Sequence, residues 1–318
     1  MFYPRRNRKT IPARATRGAG EYARAGFRMH LSPREFASWE HKAITLLGMS
    51  GIGKTTLAGK LPKTQWFHYS HDYRIGTKYL EEPILDNIKK QAMKVDFLRE
   101  LLRSDSIYIC SNITTDNLAP ISTFLGKIGD HTKGGLSLEE FKERQRLHLE
   151  AEIAATKDVV PFIAKAQEIY GYNHFINDAG GSVCEVDDDV AIQCLAEHTL
   201  IIYIRADEEM EKTLIQRAID SPKPLYYQET FLDDKLGEYM GNESIKNIDD
   251  IDPDKFVRWI FPKLVEHRRP LYQAIADRHG YTIEAADAEK VRNETEILEL
   301  ITNALAKAES GRLSVKQA

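Results

Sequence analysis

Cysteines and long hydrophobic runs are scarce in this chain of 318 residues, and each absence excludes a class of protein. Only three cysteines occur, Cys110, Cys184 and Cys194, and they follow no metal-binding or redox spacing. A sparse, odd number of cysteines is typical of a reducing compartment. No apolar run approaches the roughly 20 residues that cross a bilayer, and the N-terminus lacks the apolar core of a secretion signal. We therefore expect a cytoplasmic protein without a membrane partner.

Acids are nearly absent from the first 28 residues, where eight arginines and lysines accompany Glu21 alone. A segment of this composition cannot bury a core, so residues 1–40 are predicted to form a basic, disordered tail. Three interpretations stay open: an arm for nucleic acid or another anionic surface, an Arg-rich transit peptide, and a segment upstream of a true start at Met29. Nucleic acid is not an expected partner, although the tail leaves that possibility open.

A glycine-rich segment, Gly48-Met-Ser-Gly-Ile-Gly-Lys-Thr-Thr56, matches the pattern of a phosphate-binding loop. An apolar run precedes it and a helical stretch follows it, as the strand–loop–helix context of such a loop requires. Glycines let the backbone curl with positive φ, so that its N–H groups face an anion. Lys54 is predicted to lie against the β- and γ-phosphates. The predicted cofactors are ATP and Mg²⁺, held by Gly48, Ser50, Gly51, Ile52, Gly53, Lys54, Thr55 and Thr56.

Apolar runs recur along the chain and predict the fold class. Runs at residues 43–47, 65–69, 174–178, 199–204 and 281–283 predict strands, and the segments between them show helical periodicity. Helices are predicted at about 83–103, 137–155 and 158–170, whereas the polar residues 219–252 indicate a mobile segment. Strands that alternate with helices predict an α/β fold, a three-layer α/β/α arrangement around a parallel sheet.

Four motifs follow the phosphate loop in an order that resembles the shikimate kinase branch of the nucleoside-monophosphate-kinase-like P-loop proteins. They are Asp72 after the second strand, the turn Asp178-Ala-Gly-Gly-Ser-Val183, the segment from Arg217 to Lys223-Pro-Leu225, and Arg268-Arg-Pro-Leu-Tyr272. The resemblance implies a P-loop kinase-like domain over residues 41–309. It further implies an enlarged helical insertion at about 80–157 on the acceptor side and a lid at about 217–252. Residues 310–318 are predicted to be a disordered tail.

The resemblance also implies roles for individual residues. It places Asp72, Gly180, Gly181 and Arg268 against the acceptor, with Arg268 on an anionic group. It places Arg217 and Lys223 in a lid, where their charges would neutralise the transferring phosphoryl group. The predicted catalytic residues are therefore Lys54, Asp72, Arg217 and Lys223. The ordinary alternatives are a solvated loop aspartate for Asp72 and a solvated helix end for the two lid cations.

Asp178 ends an apolar strand beside the loop, and there a carboxylate can bind Mg²⁺ through water together with Thr55. The predicted metal ligands are therefore Thr55 and Asp178. The alternative interpretation of Asp178 is an aspartate that merely opens a turn at the end of its strand.

Departures from the family pattern set the expected function apart from that of a shikimate kinase. Ser70 stands where an acid is expected, Ala179 where a glycine is expected, and roughly a hundred residues separate Asp72 from Asp178. We predict an ATP-dependent phosphotransferase that moves the γ-phosphate to a hydroxyl of a different, anionic small-molecule acceptor. The alternative is a regulatory or assembly ATPase that acts on a protein or nucleic-acid partner. A kinase requires polar groups within reach of the γ-phosphate, whereas a switch requires an exposed apolar patch or a basic face.

Overall fold

The computed structural model describes residues 31–186 and 188–317, with side chains as far as Ser310. Most of the predicted basic tail, residues 1–30, lies outside the described residues. The remainder of that prediction is corrected: a short helix, α1 (Pro33–Ser38), begins at its N-cap Ser32 and buries Phe36 in the core. An apolar side chain that packs in this way gives residues 33–38 a folded position that a disordered tail lacks.

Five parallel strands form the sheet, in the order β2-β3-β1-β4-β5. They are β1 (Ala43–Leu47), β2 (Trp66–Ser70), β3 (His174–Asp178), β4 (Leu200–Arg205) and β5 (Gly280–Glu284). Helices cover both faces, so the central strand β1 is buried at every position, as its continuous apolar sequence predicts. The three-layer α/β/α fold with a parallel sheet is confirmed.

Helices fill the connections between the strands. In chain order after α1 they are α2 (Lys54–Gly59), α3 (His71–Arg74), α4 (Glu81–Ala92), α5 (Asp96–Arg103), α6 (Ala119–Leu125), α7 (Leu138–Glu168), α8 (Asp189–His198), α9 (Glu208–Asp220), α10 (Glu229–Asn242), α11 (Pro253–His279), α12 (Ala285–Lys290) and α13 (Glu294–Gln317). Among the described residues, none of these helices combines the length and the apolar composition that a membrane span needs.

Two predicted helices, 137–155 and 158–170, are a single helix of 31 residues, α7. It begins after its N-cap Ser137, as predicted, and continues through Pro161. A proline inside a helix removes one backbone hydrogen bond, but Pro161 is exposed, and water can satisfy the carbonyl that is left free. Buried Val159 and Ala166, one on each side of Pro161, pack in the same core cluster as the strands. The predicted end of the insertion at about 157 therefore falls inside a continuous helix.

The segments predicted to be mobile or disordered near the C-terminal side are partly helical. Within the predicted lid, α10 buries Phe231, Leu232 and Leu236 in a core cluster that it shares with α11. The polar composition of residues 219–252 hid this apolar stripe, which recurs at helical spacing. The predicted disordered tail at 310–318 is also corrected, because α13 is helical as far as Gln317.

Candidate functional site

The carboxyl ends of β1, β2 and β3 bring three predicted site segments to one edge of the sheet. In the strand register, Asp178 at the end of β3 lies between Leu46 of β1 and Ser70 of β2. The phosphate loop begins at Gly48, directly after the end of β1, and Asp72 lies two residues after the end of β2. The turn after β3 touches the loop, since a Cβ on Gly181 would lie 3.1 Å from the Ser50 amide nitrogen. Ligands of open parallel sheets bind at this kind of edge.

The phosphate loop has the backbone conformation that its glycines predict. Gly48, Gly51 and Gly53 have φ angles of 147°, 84° and 101°, in the region that other residues rarely adopt. A Cβ on Gly48 would also lie 2.9 Å from the carbonyl oxygen of Ile204. Gly53 is the N-cap of α2 and turns the chain into that helix. The loop is therefore a curved backbone segment. Its predicted ligand-binding residues differ in exposure: the exposed ones are Ser50, Gly51, Thr55 and Thr56, the half-buried one is Gly53, and the buried ones are Gly48, Ile52 and Lys54.

Lys54 is a buried cation that lies across the loop. Its Nζ donates to the carbonyl oxygens of Gly48 at 2.7 Å and Met49 at 3.1 Å. Burial lowers the pKa of the Lys54 ammonium, and the nearby carboxylates of Asp178, Asp72 and Glu152 oppose that change. Among the described residues its hydrogen-bond partners are carbonyl oxygens and not a carboxylate, so its charge is available to an anion in the loop.

Thr55 and Asp178 form the pair predicted to bind Mg²⁺. The Thr55 hydroxyl donates to Asp178 Oδ2 at 2.5 Å, and His68 Nε2 lies 3.8 Å from the same oxygen. Burial acts to raise the pKa of Asp178, but the nearby His68 ring, the Lys54 charge and the Thr55 hydrogen bond outweigh it, and the net pKa is lowered. An ionised carboxylate beside a hydroxyl fits a Mg²⁺ that also binds phosphate oxygens and water. In the described part of the chain, no group of three or more His, Cys, Asp or Glu side chains forms a metal site by itself.

Asp72 lies half-buried on α3, next to the loop. Its short helix is anchored on α7, because Arg74 Nη2 pairs with Asp158 at 2.6 Å. The preceding strand β2 is held to the same helix, since the Tyr69 hydroxyl donates to the Ala155 carbonyl at 2.7 Å. Over residues 31–186 and 188–310, no side chain forms a hydrogen bond or ion pair with the Asp72 carboxylate. Burial raises its pKa to about 6, Asp178 adds to the rise, and Lys54 opposes it. Within the described residues this carboxylate has no partner, and it lies at the same edge of the sheet as the phosphate loop.

Glu152, in the middle of α7, is a site residue that the sequence interpretation missed. Its side chain is only 1% exposed, and the Ser182 hydroxyl donates to its Oε2. A Cβ on Gly180 would collide with Glu152 Oε1 and would lie 3.5 Å from Asp72 Oδ1, so both carboxyls border the same glycine. Burial raises the pKa of Glu152 to about 8, against the Ser182 hydrogen bond.

The signal for Glu152 was a polar stripe on the buried face of α7. Gln145, His148 and Glu152 follow one another at helical spacing, and all three are buried together with the apolar Phe141 and Ala155. The His148 ring stacks on Tyr226 at 5.2 Å between centroids, and its Nδ1 lies 3.7 Å from Glu152 Oε2. Buried polar residues among core positions of one helix indicate a site or a polar network.

Arg268 has a different position from the one predicted. The predicted anion contact would require a free guanidinium, but Arg268 is 3% exposed and its Nε and Nη2 donate to Glu185 at 2.9 and 2.5 Å. Its Nη1 donates to the Gly181 carbonyl at 2.8 Å, and Nη2 also reaches the Tyr226 carbonyl at 2.9 Å. The Tyr272 hydroxyl donates to the same Gly181 carbonyl at 2.6 Å. The completely buried Glu185 carboxylate neutralises the Arg268 guanidinium. Arg268 therefore stabilises the glycine turn and has no free charge for an anionic ligand.

The two predicted lid cations are exposed. Arg217 lies in the last turn of α9, and Lys223 follows that helix in an irregular segment. Within the described residues neither side chain contacts the phosphate loop, Asp72 or the glycine turn through a hydrogen bond or ion pair. Their catalytic role stays a prediction.

Comparison with known proteins adds little to this geometry. No protein-family model matches the chain, and no curated protein matches it in sequence. Among solved structures, shikimate kinase from Bacteroides thetaiotaomicron, determined at 1.7 Å resolution, is similar over 84% of this chain and 98% of that chain. The two sequences are 12% identical and the TM-score is 0.33, which is too low to support any correspondence of residues.

Proposed function

We propose that this chain is an ATP-dependent phosphotransferase that moves the γ-phosphate of ATP to a hydroxyl of a small molecule. The observation that supports it most is the position of Asp72. A half-buried carboxylate that no other described side chain pairs with lies at the same sheet edge as a complete phosphate loop. A simple nucleotide switch has no need of this second polar group, whereas a kinase needs one to orient the attacking hydroxyl.

The phosphate side of the proposed reaction uses four features of the loop and its neighbour. Loop N–H groups and the Lys54 ammonium would bind the β- and γ-phosphates, and Thr55 with Asp178 would hold Mg²⁺. When bound, Mg²⁺ supplies neutralising charge at the phosphate oxygens. Arg217 and Lys223 are proposed to add charge from a closing lid, which their exposure permits.

On the acceptor side, Asp72 would accept the proton of the attacking hydroxyl. The hydroxyl oxygen forms a bond to the γ-phosphorus while the bond from that phosphorus to the bridging oxygen of ADP breaks. The hydroxyl proton passes to the Asp72 carboxylate. Because its pKa is about 6, Asp72 is ionised at neutral pH and still basic enough to take a proton. Phosphoryl transfer is a loose process, so the orientation that Asp72 imposes matters at least as much as its basicity.

One observation favours the regulatory ATPase as a second candidate. The insertion exposes three large apolar side chains, Val95 (50% exposed), Phe97 (71%) and Tyr108 (87%), and α5 buries none of its residues. Several exposed apolar side chains on one segment favour a protein partner. The ATPase would use the same loop and Mg²⁺ ligands but would have no role for Asp72.

The distinguishing experiment measures ADP release with a panel of hydroxyl compounds, in the wild type and in Asp72→Asn. We expect an accelerating acceptor for the wild type and a loss of about 100-fold in the accelerated rate for the variant, with Mg-ATP affinity unchanged. The exposed Asp86→Asn is the matched control and should behave as wild type. The wild-type rate should fall about tenfold per pH unit below pH ~6, because protonation removes the active form of Asp72.

Two results would count against the kinase. If no compound in the panel accelerates ADP release and the Asp72→Asn variant keeps the basal ATPase rate, the regulatory ATPase replaces it. If an acceptor accelerates both proteins equally, with the same pH profile, the chain is a kinase in which Asp72 has no part.

A further inference from the structure

Two cations near the acceptor side of the site are neutralised by carboxylates, and a third lies within the phosphate loop. The Arg268 guanidinium is neutralised by Glu185, and Arg74 by Asp158. Lys54 lies inside the phosphate loop, bonded to Gly48 and Met49. Among the described residues, no unpaired lysine or arginine contacts Asp72 or the glycine turn. An acceptor carboxylate or phosphate would therefore find no countercharge where it is to be held.

Carboxyl groups surround the same space, and two of them carry a negative charge. Asp72 borders Gly180, and Asp178 is close enough to raise the pKa of Asp72. Glu152 borders Gly180 as well, but burial raises its pKa to about 8, so it is largely protonated at neutral pH. His148, whose Nδ1 lies 3.7 Å from Glu152, is buried, and burial lowers its pKa to about 4, so its ring is neutral at physiological pH. An anion beside the ionised Asp72 would meet repulsion that few water molecules can screen.

The backbone beside Asp72 offers hydrogen-bond donors. The amide N–H groups of Gly180 and Gly181 have no hydrogen-bond partner within the described ranges. A hydroxyl group both donates and accepts, so it can give its proton to Asp72 and accept from an amide. A carboxylate only accepts and would leave Asp72 without a donor. The mixture of one carboxylate and free amides therefore favours hydroxyl groups.

We infer that the acceptor is an uncharged polyhydroxyl compound, of the sugar or polyol class, and that Glu152 is a positioning residue for the turn that binds it. This inference rests on the proposed phosphotransferase function and replaces the anionic acceptor expected from the sequence. Glu152 fixes the turn from the α7 side through Ser182 and through its close approach to Gly180. Arg268 and Tyr272 fix it from the α11 side through the Gly181 carbonyl.

Matched acceptor pairs test the acceptor class. Each pair shares a carbon skeleton and differs by one carboxylate: glucose and glucuronate, galactose and galacturonate, glycerol and glycerate. In an ADP-release assay of the full chain, we expect the neutral member of an active pair to have a kcat/KM at least ~10-fold higher than that of the acid. An acid that equals or exceeds its neutral partner overturns the inference and leaves the kinase intact. If no compound of either kind accelerates ADP release, the proposed function itself fails, and the inference falls with it.

A double-mutant cycle tests the positioning role of Glu152. Gly180→Ala places a methyl group against Glu152 Oε1, and Glu152→Ala removes that oxygen. We expect each single variant to raise the acceptor KM about 10-fold without changing the KM for Mg-ATP, and the double variant to be no worse than either, because both break one contact. The exposed Glu150→Ala is the control on the same helix.

Additive effects, or a parallel rise in the KM for Mg-ATP, would overturn the positioning role. Glu152→Gln preserves the side-chain volume and replaces Glu152→Ala in the assay if the smaller side chain prevents folding. In that case an acceptor KM equal to that of the wild type overturns the role.

Discussion

The two halves of the site are built in different ways. The phosphate half consists of consecutive residues, with Asp178 added from the neighbouring strand. The proposed acceptor half brings Asp72, Glu152 and Arg268 together from three helices that are far apart in the sequence. A short segment can specify a loop conformation by itself, whereas the acceptor half exists only after the long-range packing is complete. The phosphate half can therefore be found in the sequence as a motif. The acceptor half can be found only from the polar residues that the folded structure buries.

The buried cations of the two halves differ in the same way. Lys54 bonds to carbonyl oxygens that belong to its own loop, so its charge remains available. Arg268 forms an ion pair with the buried carboxylate of Glu185, which neutralises the charge of the guanidinium. A cation in a site-like motif thus has a catalytic or a structural role according to its partner. Variants of the two residues should separate these roles, because one should affect turnover and the other stability.

The largest effect is expected for Arg268→Ala, which leaves Glu185 buried without its partner. Removing one member of a buried ion pair costs about 3–5 kcal/mol of unfolding free energy. Urea denaturation should show this loss, whereas Arg269→Ala, which breaks an exposed pair with Glu211, should cost less than ~1 kcal/mol. A stable Arg268→Ala protein with a raised acceptor KM would restore the direct anion contact and contradict the structural role.

Lys54→Ala should give the next largest effect, and it should act on turnover alone. Losing one charge-assisted contact to a transferring phosphoryl group reduces kcat about 100- to 1000-fold. Stability should not fall, because a buried ammonium whose pKa is lowered by burial contributes little to folding. ADP release and circular dichroism check both statements, with the exposed Lys63→Ala as the control. Normal turnover by Lys54→Ala would remove the phosphate loop from the mechanism.

Arg217→Ala should have the smallest of these effects. An exposed lid cation that reaches the phosphoryl group only in the closed state should change kcat about 10-fold and leave the acceptor KM unchanged. Lys212→Ala, exposed on the same helix, should match the wild type. Equal kinetics for these two variants would place Arg217 on the solvated surface and leave charge neutralisation to Lys54 and Mg²⁺.

Features that neighbouring residues determine could be predicted from the sequence, whereas features that depend on contacts between distant residues could not. The strands were visible because a central parallel strand is apolar on both faces, as in Leu200–Ile204. The phosphate loop was visible because its φ angles need glycine at fixed positions. The pairing of Glu185 with Arg268 was not, because 83 residues separate the two and nothing local marks either as a partner. Continuity of α7 through Pro161 likewise depends on the packing of the flanking turns.

The single long helix α7 has a consequence for any attempt to shorten the protein. At a rise of 1.5 Å per residue it is about 46 Å long. Its N-terminal part belongs to the region that resembles an insertion, and its middle supplies Glu152, the Ala155 carbonyl for Tyr69 and Asp158 for Arg74. The inserted segment therefore cannot be deleted independently of the site. Deleting residues 80–157 to obtain a minimal catalytic core would also remove Glu152 and Ala155, which support the proposed acceptor half.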